Sequence, residues 1–426
     1  MKILRPILIV FTAILALAIL NMQTSTSGVF FGPLLDEFGL SRQTMVSVPL
    51  FVSLPFLLVA GIVYDWRGGR LVIIVGSIVA ALASFGISRT NSPSQFMVLY
   101  SFFSVGGALF GGIVPLLMLA NWFVRLRGIF IGVVIAVASI GTVVAPPLAA
   151  NLISNLGWRI PYLILGFLPL VLVPLALIIK RRPEDDDSVP DFGIISDRAT
   201  LLGQWSPLAA RRYHHAYDAQ GLMLGLKAYS LSFGKNGAML GILAGFLLVA
   251  ITFIAYASKV GMSTHLVPHL VGYGVRVAVA ARSVAAMTMI VPAGALVLGV
   301  LSDFIHSRIC LAASLAILGV GILMFVADLH SLAPPLVMGF GQGGLICLVT
   351  VVLADYFGRG VLGTLRGILG MLVAIAGLIG GLFLGYVFDA TGGYSTGFVG
   401  MGRVVLLCAA LAIFMWPPRY EKLPTS

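Results

Sequence analysis

Two stretches decide the architecture: Gly61-Ile62-Val63-Tyr64-Asp65-Trp66-Arg67-Gly68-Gly69-Arg70 and Gly299-Val300-Leu301-Ser302-Asp303-Phe304-Ile305-His306-Ser307-Arg308. In both, an aspartate follows the glycine by four positions and an arginine follows the aspartate by five. Each stretch closes one long apolar segment and opens the next. Two more pairs recur in the same order, Ala120-Asn121-Trp122-Phe123 with Ala354-Asp355-Tyr356-Phe357, and Arg127-Gly128 with Arg366-Gly367. The separation between copies is nearly constant along the chain. Three matched pairs in one order indicate a duplicated unit. Two matching membrane halves are what alternating access to a central site requires.

Composition sets the environment. Hydrophobic residues make up 59% of the 426 residues and charged residues 10%, and mean hydropathy is +1.07. A soluble fold of this length cannot bury that much apolar surface. Segments of about 20 apolar residues cross a bilayer. Such segments lie near 7–32, 43–64, 70–88, 95–118, 128–152, 158–180, 237–262, 277–300, 309–328, 332–353, 363–388 and 394–416. The expected fold is all-α, with twelve transmembrane helices in two pseudo-symmetric six-helix bundles, 1–180 and 237–426. A cytoplasmic linker over 181–236 joins them. The 50 glycines suit helices that associate by close packing in lipid. The first segment follows Lys2 and Arg5 as a signal peptide would, but it is too long for one and lacks a small-residue cleavage site.

The net charge of +11 is distributed as in a membrane protein, not as in a nucleic-acid binder. With the N-terminus inside, cytoplasmic segments hold 19 of the 26 Lys and Arg. That asymmetry places both termini in the cytoplasm of a cell bounded by this membrane. Cys310, Cys347 and Cys408 fall inside apolar segments and read as buried thiols. The segment Leu201–Tyr217 has the pattern of an interfacial helix, and His214-His215 lacks a third metal ligand. No metal or cofactor is expected. The expected partners are the lipid bilayer and a small solute, with the chain acting as a monomer.

Asp65 and Asp303 fall at cytoplasmic helix ends beside Arg67 with Arg70 and beside Arg308. A carboxylate there caps a neighbouring helix N-terminus and pairs with an arginine in one conformation. These five residues are the expected gate. Ionisable groups within spans mark functional sites. Lys259 and Arg282 are read at similar depth in the outer parts of helices 7 and 8, where a lysine and an arginine hold a carboxylate. Polar residues expected to line the path are Asn21, Gln23 and Thr24 in helix 1, Tyr100 and Ser101 in helix 4, Asn151 in helix 5 and Gln342 in helix 10. No carboxylate falls near the middle of any span. His265, in the outer loop after helix 7, is the one alternative for handling a proton near neutral pH.

The stretch Gly61–Arg70 resembles the loop 2–3 signature of the major facilitator superfamily, with Trp66 at a position usually basic. Within it, several stretches are similar to monocarboxylate porters and oxalate/formate antiporters. They are Gly28 to Arg42; Asn121-Trp122-Phe123 through Arg127-Gly128 to Pro146-Pro147 and Gly157-Trp158-Arg159; His265-Leu266-Val267-Pro268; and Phe388-Asp389-Ala390-Thr391-Gly392. The resemblance implies transport of small organic anions, often with a proton or by exchange. One departure matters. The branch carries a substrate-binding arginine in helix 8 where this chain has Ala295, and the helix 11 lysine of oxalate exchangers is also missing.

The expected function is therefore a secondary active or facilitative carrier of a small, monocarboxylate-like organic anion. Asn21, Gln23, Tyr100, Lys259, Arg282 and Gln342 would bind substrate. One competing reading is a proton-coupled drug or metabolite antiporter, for which Gly132, Gly141, Ala145 and Pro146 give a partial pattern. Helix 4 lacks the arginine such antiporters carry. A second is a non-transporting sensor with the same fold. No nucleophile–base pair or phosphate loop points to an enzyme.

Overall fold

The computed structural model describes residues 4–40, 42–180, 234–327 and 331–415. Most of the 181–236 linker, with Leu201–Tyr217 and His214-His215, lies outside the described residues. Among the described residues, twelve helices are long and apolar enough to cross a membrane. They are α1 (Leu4–Phe38), α2 (Arg42–Arg67), α3 (Gly69–Ile87), α4 (Pro93–Trp122), α5 (Arg127–Leu156), α6 (Arg159–Ile178), α7 (Gly234–Gly272), α8 (Val277–Phe304), α9 (Ser307–Ala327), α10 (Ala333–Phe357), α11 (Leu362–Thr391) and α12 (Ser395–Ile413).

Two helices overrun their sequence-based ends. α1 continues to Phe38 and α7 to Gly272, each with a proline inside, Pro33 and Pro268. These prolines hold matching places in the two halves, at the same kind of offset as the other repeats. His265 therefore lies within α7 and not in a following loop. Proline normally ends a helix because it removes an N–H and clashes with the preceding turn. Here both helices are long enough to continue for another turn.

Three helices are interrupted. α4 widens to a π turn over Ala108–Gly112. α5 breaks at Ser139, between Arg127–Ala138 and Ile140–Leu156. α6 tightens to a 3-10 turn over Leu168–Val171 around Pro169. Each break frees backbone groups that need new partners in lipid.

The chain forms two compact units. One comprises Met1–Val124, Val137–Arg198 and Val361–Met371; the other comprises Arg125–Ala136, Ala199–Gly360 and Leu372–Ser426. The leading turns of α5 and α11 thus pack with the opposite half of the sequence. In the first unit α3 packs on α4 and α6, and α1 on the second part of α5. In the second, α10 packs on α8 and α9, α9 on α12, and α7 on α12 and α8. Glycine lets α8 and α10 touch backbone to backbone: an added methyl on Gly343 would overlap the Val291 carbonyl, and one on Gly294 that of Phe340.

Candidate functional site

The repeated signature builds the same joint twice. In the first unit, Gly61 of α2 lies against Gly363 of α11 so closely that an added methyl on either would collide with the other's carbonyl. One turn further, the Asp65 carboxylate accepts the Gly363 N–H at 2.8 Å and the Thr364 N–H at 2.6 Å. These amides are among those a helix leaves unpaired at its N-terminus. In the second unit, Gly299 of α8 meets Gly128 of α5 in the same reciprocal way. Asp303 accepts the Gly128 N–H at 2.9 Å and the Ile129 N–H at 2.8 Å. The glycine brings the backbones into contact, and the aspartate then places charge against the positive helix end. Gly68, at φ 79°, joins α2 to α3 through a single residue, a conformation that favours glycine.

The flanking charges differ between the joints. Arg127 is 2% exposed and pairs with Asp355 at 2.9 Å, and the Ser307 hydroxyl donates to the other Asp355 oxygen at 2.7 Å. At the position repeating Asp355, Asn121 donates instead to the Tyr64 hydroxyl at 2.8 Å. The two signature arginines also diverge. Arg308 is buried and donates to the Met415 carbonyl, which Tyr356 also holds. Arg70 is exposed, and Arg67, also exposed, lies over the Trp66 ring at 4.4 Å.

In the first unit, two residues expected to meet substrate are engaged in backbone repair. Asn21 donates to the Ala138 carbonyl at 3.1 Å, at the α5 break. There Thr142 N–H turns to Ser139 and leaves Ala138 free. Gln23 is buried and donates to the Leu165 carbonyl at 3.4 Å. One turn on from Leu165 is Pro169, which has no N–H to offer. Tyr100 stacks between Phe96 and Phe103, at 5.5 Å and 6.3 Å, and lies edge-on to Tyr162. Thr24 and Ser101 bond to carbonyls of their own helices, and Asn151 is exposed.

In the second unit, Gln342 is 4% exposed, and its amide meets only the Met287 sulfur, at 3.5 Å. A thioether is a weak acceptor, so this amide keeps capacity for another partner. Lys259 is half-buried, with its ammonium 5.2 Å from the centre of the Tyr256 ring. Arg282 is exposed. Lys259 lies more than three turns before the end of α7 at Gly272, whereas Arg282 lies little more than one turn after the start of α8 at Val277. At about 1.5 Å rise per residue, the lysine sits roughly 12 Å farther from its helix end than the arginine does from its own. The sequence reading put them at similar depth. Ala295 is fully buried, and its backbone touches positions Gly132 and Gly343, where added methyls would clash. Its surroundings leave no room for an arginine.

Among the described residues no group of three His, Cys, Asp or Glu could hold a metal ion. The three cysteines are buried and form no disulfide. Sequence reading missed His269, which is 1% exposed in the last turn of α7; reading this region as a loop hid it.

A profile of the Major Facilitator Superfamily matches residues 13–381. Monocarboxylate transporter 13 of Rattus norvegicus is 24% identical over 353 residues, covering 81% of this chain and 73% of that one. Monocarboxylate transporter 11 of Homo sapiens is 28% identical over 367 residues, covering 80% and 67%. The fold matches the E. coli fucose:proton symporter FucP with a TM-score of 0.67 at 16% identity, over 96% of this chain and 97% of that one. It matches the proton:xylose symporter XylE with a TM-score of 0.68 at 15% identity, over 97% and 95%. With its twelve membrane-spanning helices and duplicated capped joints, the chain belongs to the Major Facilitator Superfamily, as a multi-pass membrane transporter and not an enzyme.

Proposed function

We propose that this transporter moves a small organic anion of the monocarboxylate class across the cytoplasmic membrane by alternating access, with both termini in the cytoplasm. The observation that carries alternating access is the duplicated cap, Asp65 on α11 and Asp303 on α5. Each is a short set of polar contacts between the end of one helix and the start of another. The halves that rock against one another are 1–180 and 237–426, and the gate comprises Asp65, Arg67, Arg70, Asp303 and Arg308.

The anion class is supported by the monocarboxylate transporters among the relatives and by Lys259. A half-buried ammonium inside a membrane helix is costly unless it serves a ligand or a pathway. In this proposal Lys259 is the anchor, Gln342 donates a hydrogen bond beside it, and Arg282 gathers anions nearer the end of α8. Asn21, Gln23 and Tyr100 are the candidate substrate residues of the first half, the first two through the carbonyls they hold.

The test is uptake of labelled mono- and dicarboxylates into proteoliposomes, by wild type and by folded Lys259→Ala. Saturable uptake of an acid, lost in the variant, supports the reading. Absence of uptake across the panel, with correctly folded protein, overturns it.

A further inference from the structure

We propose that His265 and His269 of α7 form the proton-binding site of this carrier, coupling anion movement to a proton. The inference rests on the anion-carrier reading. The described carboxylates are Asp36, Glu37, Asp65, Asp303, Asp355 and Asp389, and each lies at the very end of its helix. Among the described residues, none is available inside a span to carry a proton. Among the described residues, the two histidines are the imidazoles that lie within spans, and imidazole is the side chain suited to taking up and releasing a proton.

Their placement suits the task. They sit one helical turn apart on α7, and both rings pack on Tyr394, at 5.0 Å and 6.2 Å between centres. His265 is half-exposed, and its Nε2 meets the Gly381 carbonyl of α11 at 3.0 Å. It offers the entry point. His269 is buried, and neither ring nitrogen makes a hydrogen bond of normal geometry. A buried polar group without such a bond calls for an explanation such as a bound proton or water.

The His269 ring sits in an aromatic cluster. The His269 ring lies 4.5 Å from Phe398 and 5.1 Å from Tyr273 in addition to Tyr394. Aromatic faces attract a cation. The last turn of α7 adds the negative end of the helix dipole.

The titratable groups facing the pair are Tyr273 just past α7 and Tyr394 at the head of α12. α11 contributes the Gly381 carbonyl, and α9 brings the Phe325 backbone to the same side. No described ion pair reaches either ring. Lys259 is about a turn and a half earlier on α7, and Asp389 is exposed near the end of α11. Binding is simple addition of a proton to a ring nitrogen, so a monoanion and its proton cross with no net charge.

The experiment uses the full chain in two assays. In proteoliposomes, one unit of pH gradient drives about ten-fold accumulation of a lactate or pyruvate carried with one proton, above protein-free liposomes. His269→Gln abolishes the accumulation and retains lactate exchange at equal pH. His265→Gln gives the same split if His269→Gln fails to fold. Separately, purified protein labelled with nitrogen-15 histidine shows a ring titrating between about pH 5 and 8 that is lost in one of these variants. A gradient response kept by both folded variants overturns the proposal. So does the lack of such a titrating ring, which decides the matter even where no acid is transported and the carrier reading itself has failed.

Discussion

Asp65 and Asp303 stand at matching places in the two repeats and hold the same two amides, the second and third of α11 and of α5. This relationship explains three residues of the superfamily signature. Its glycine permits contact between helices, its aspartate caps the helix so contacted, and in the first copy Gly68 closes the turn that follows.

Removing the charge weakens the cap without removing all of its hydrogen bonding. Asp65→Asn or Asp303→Asn is expected to cost about 1–2 kcal/mol of the capped state. Transport at saturating substrate falls, while the substrate concentration for half-saturation changes little. Initial rates in proteoliposomes check this. A variant with unaltered rates speaks against a gating role.

Gly299→Ala and Gly61→Ala place a methyl on a carbonyl that has nowhere to retreat. A loss of roughly 1–3 kcal/mol is expected from such overpacking, measured as a lower melting temperature. Gly400→Ala is the control, since an added methyl there meets nothing within 4 Å.

Asn21→Ala and Gln23→Ala leave buried carbonyls without donors, at about 1–3 kcal/mol each. Both variants are expected to melt earlier. Gln342→Ala is the contrast, since it leaves no backbone group stranded. Its effect is expected in the half-saturating substrate concentration.

The Arg127–Asp355 pair predicts an asymmetry between the joints. Asp355→Ala takes the carboxylate away from a buried guanidinium and costs about 3–5 kcal/mol. Asp355→Asn recreates the residue used at the matching position Asn121 and is expected to be milder. Chemical unfolding of the two variants distinguishes them.

The sequence carried the large features openly. Twelve apolar segments reflect the bilayer, and the repeated Gly–Asp–Arg spacing marked the two joints. Side-chain roles were less legible, because they depend on backbone defects elsewhere. Nothing near Gln23 announces that Pro169, far along the chain in α6, will strand the Leu165 carbonyl. The lengths of α1 and α7 were hidden by Pro33 and Pro268, which locally argue for a stop. Their matching places in the two repeats were the available clue, and using it would have placed His265 and His269 inside a helix.

The claim that matters most is that the capped joints open and close during transport. Spin labels at Trp66→Cys and Ile368→Cys, with Cys310, Cys347 and Cys408 replaced by alanine, report on the Asp65 joint through two exposed positions. Pulsed electron resonance measures their separation in liposomes. A short and a long distance are expected, with Asp65→Asn moving the population toward the long one by about 5–30-fold. A single short distance, unchanged by the substitution and by transported acid, would contradict it.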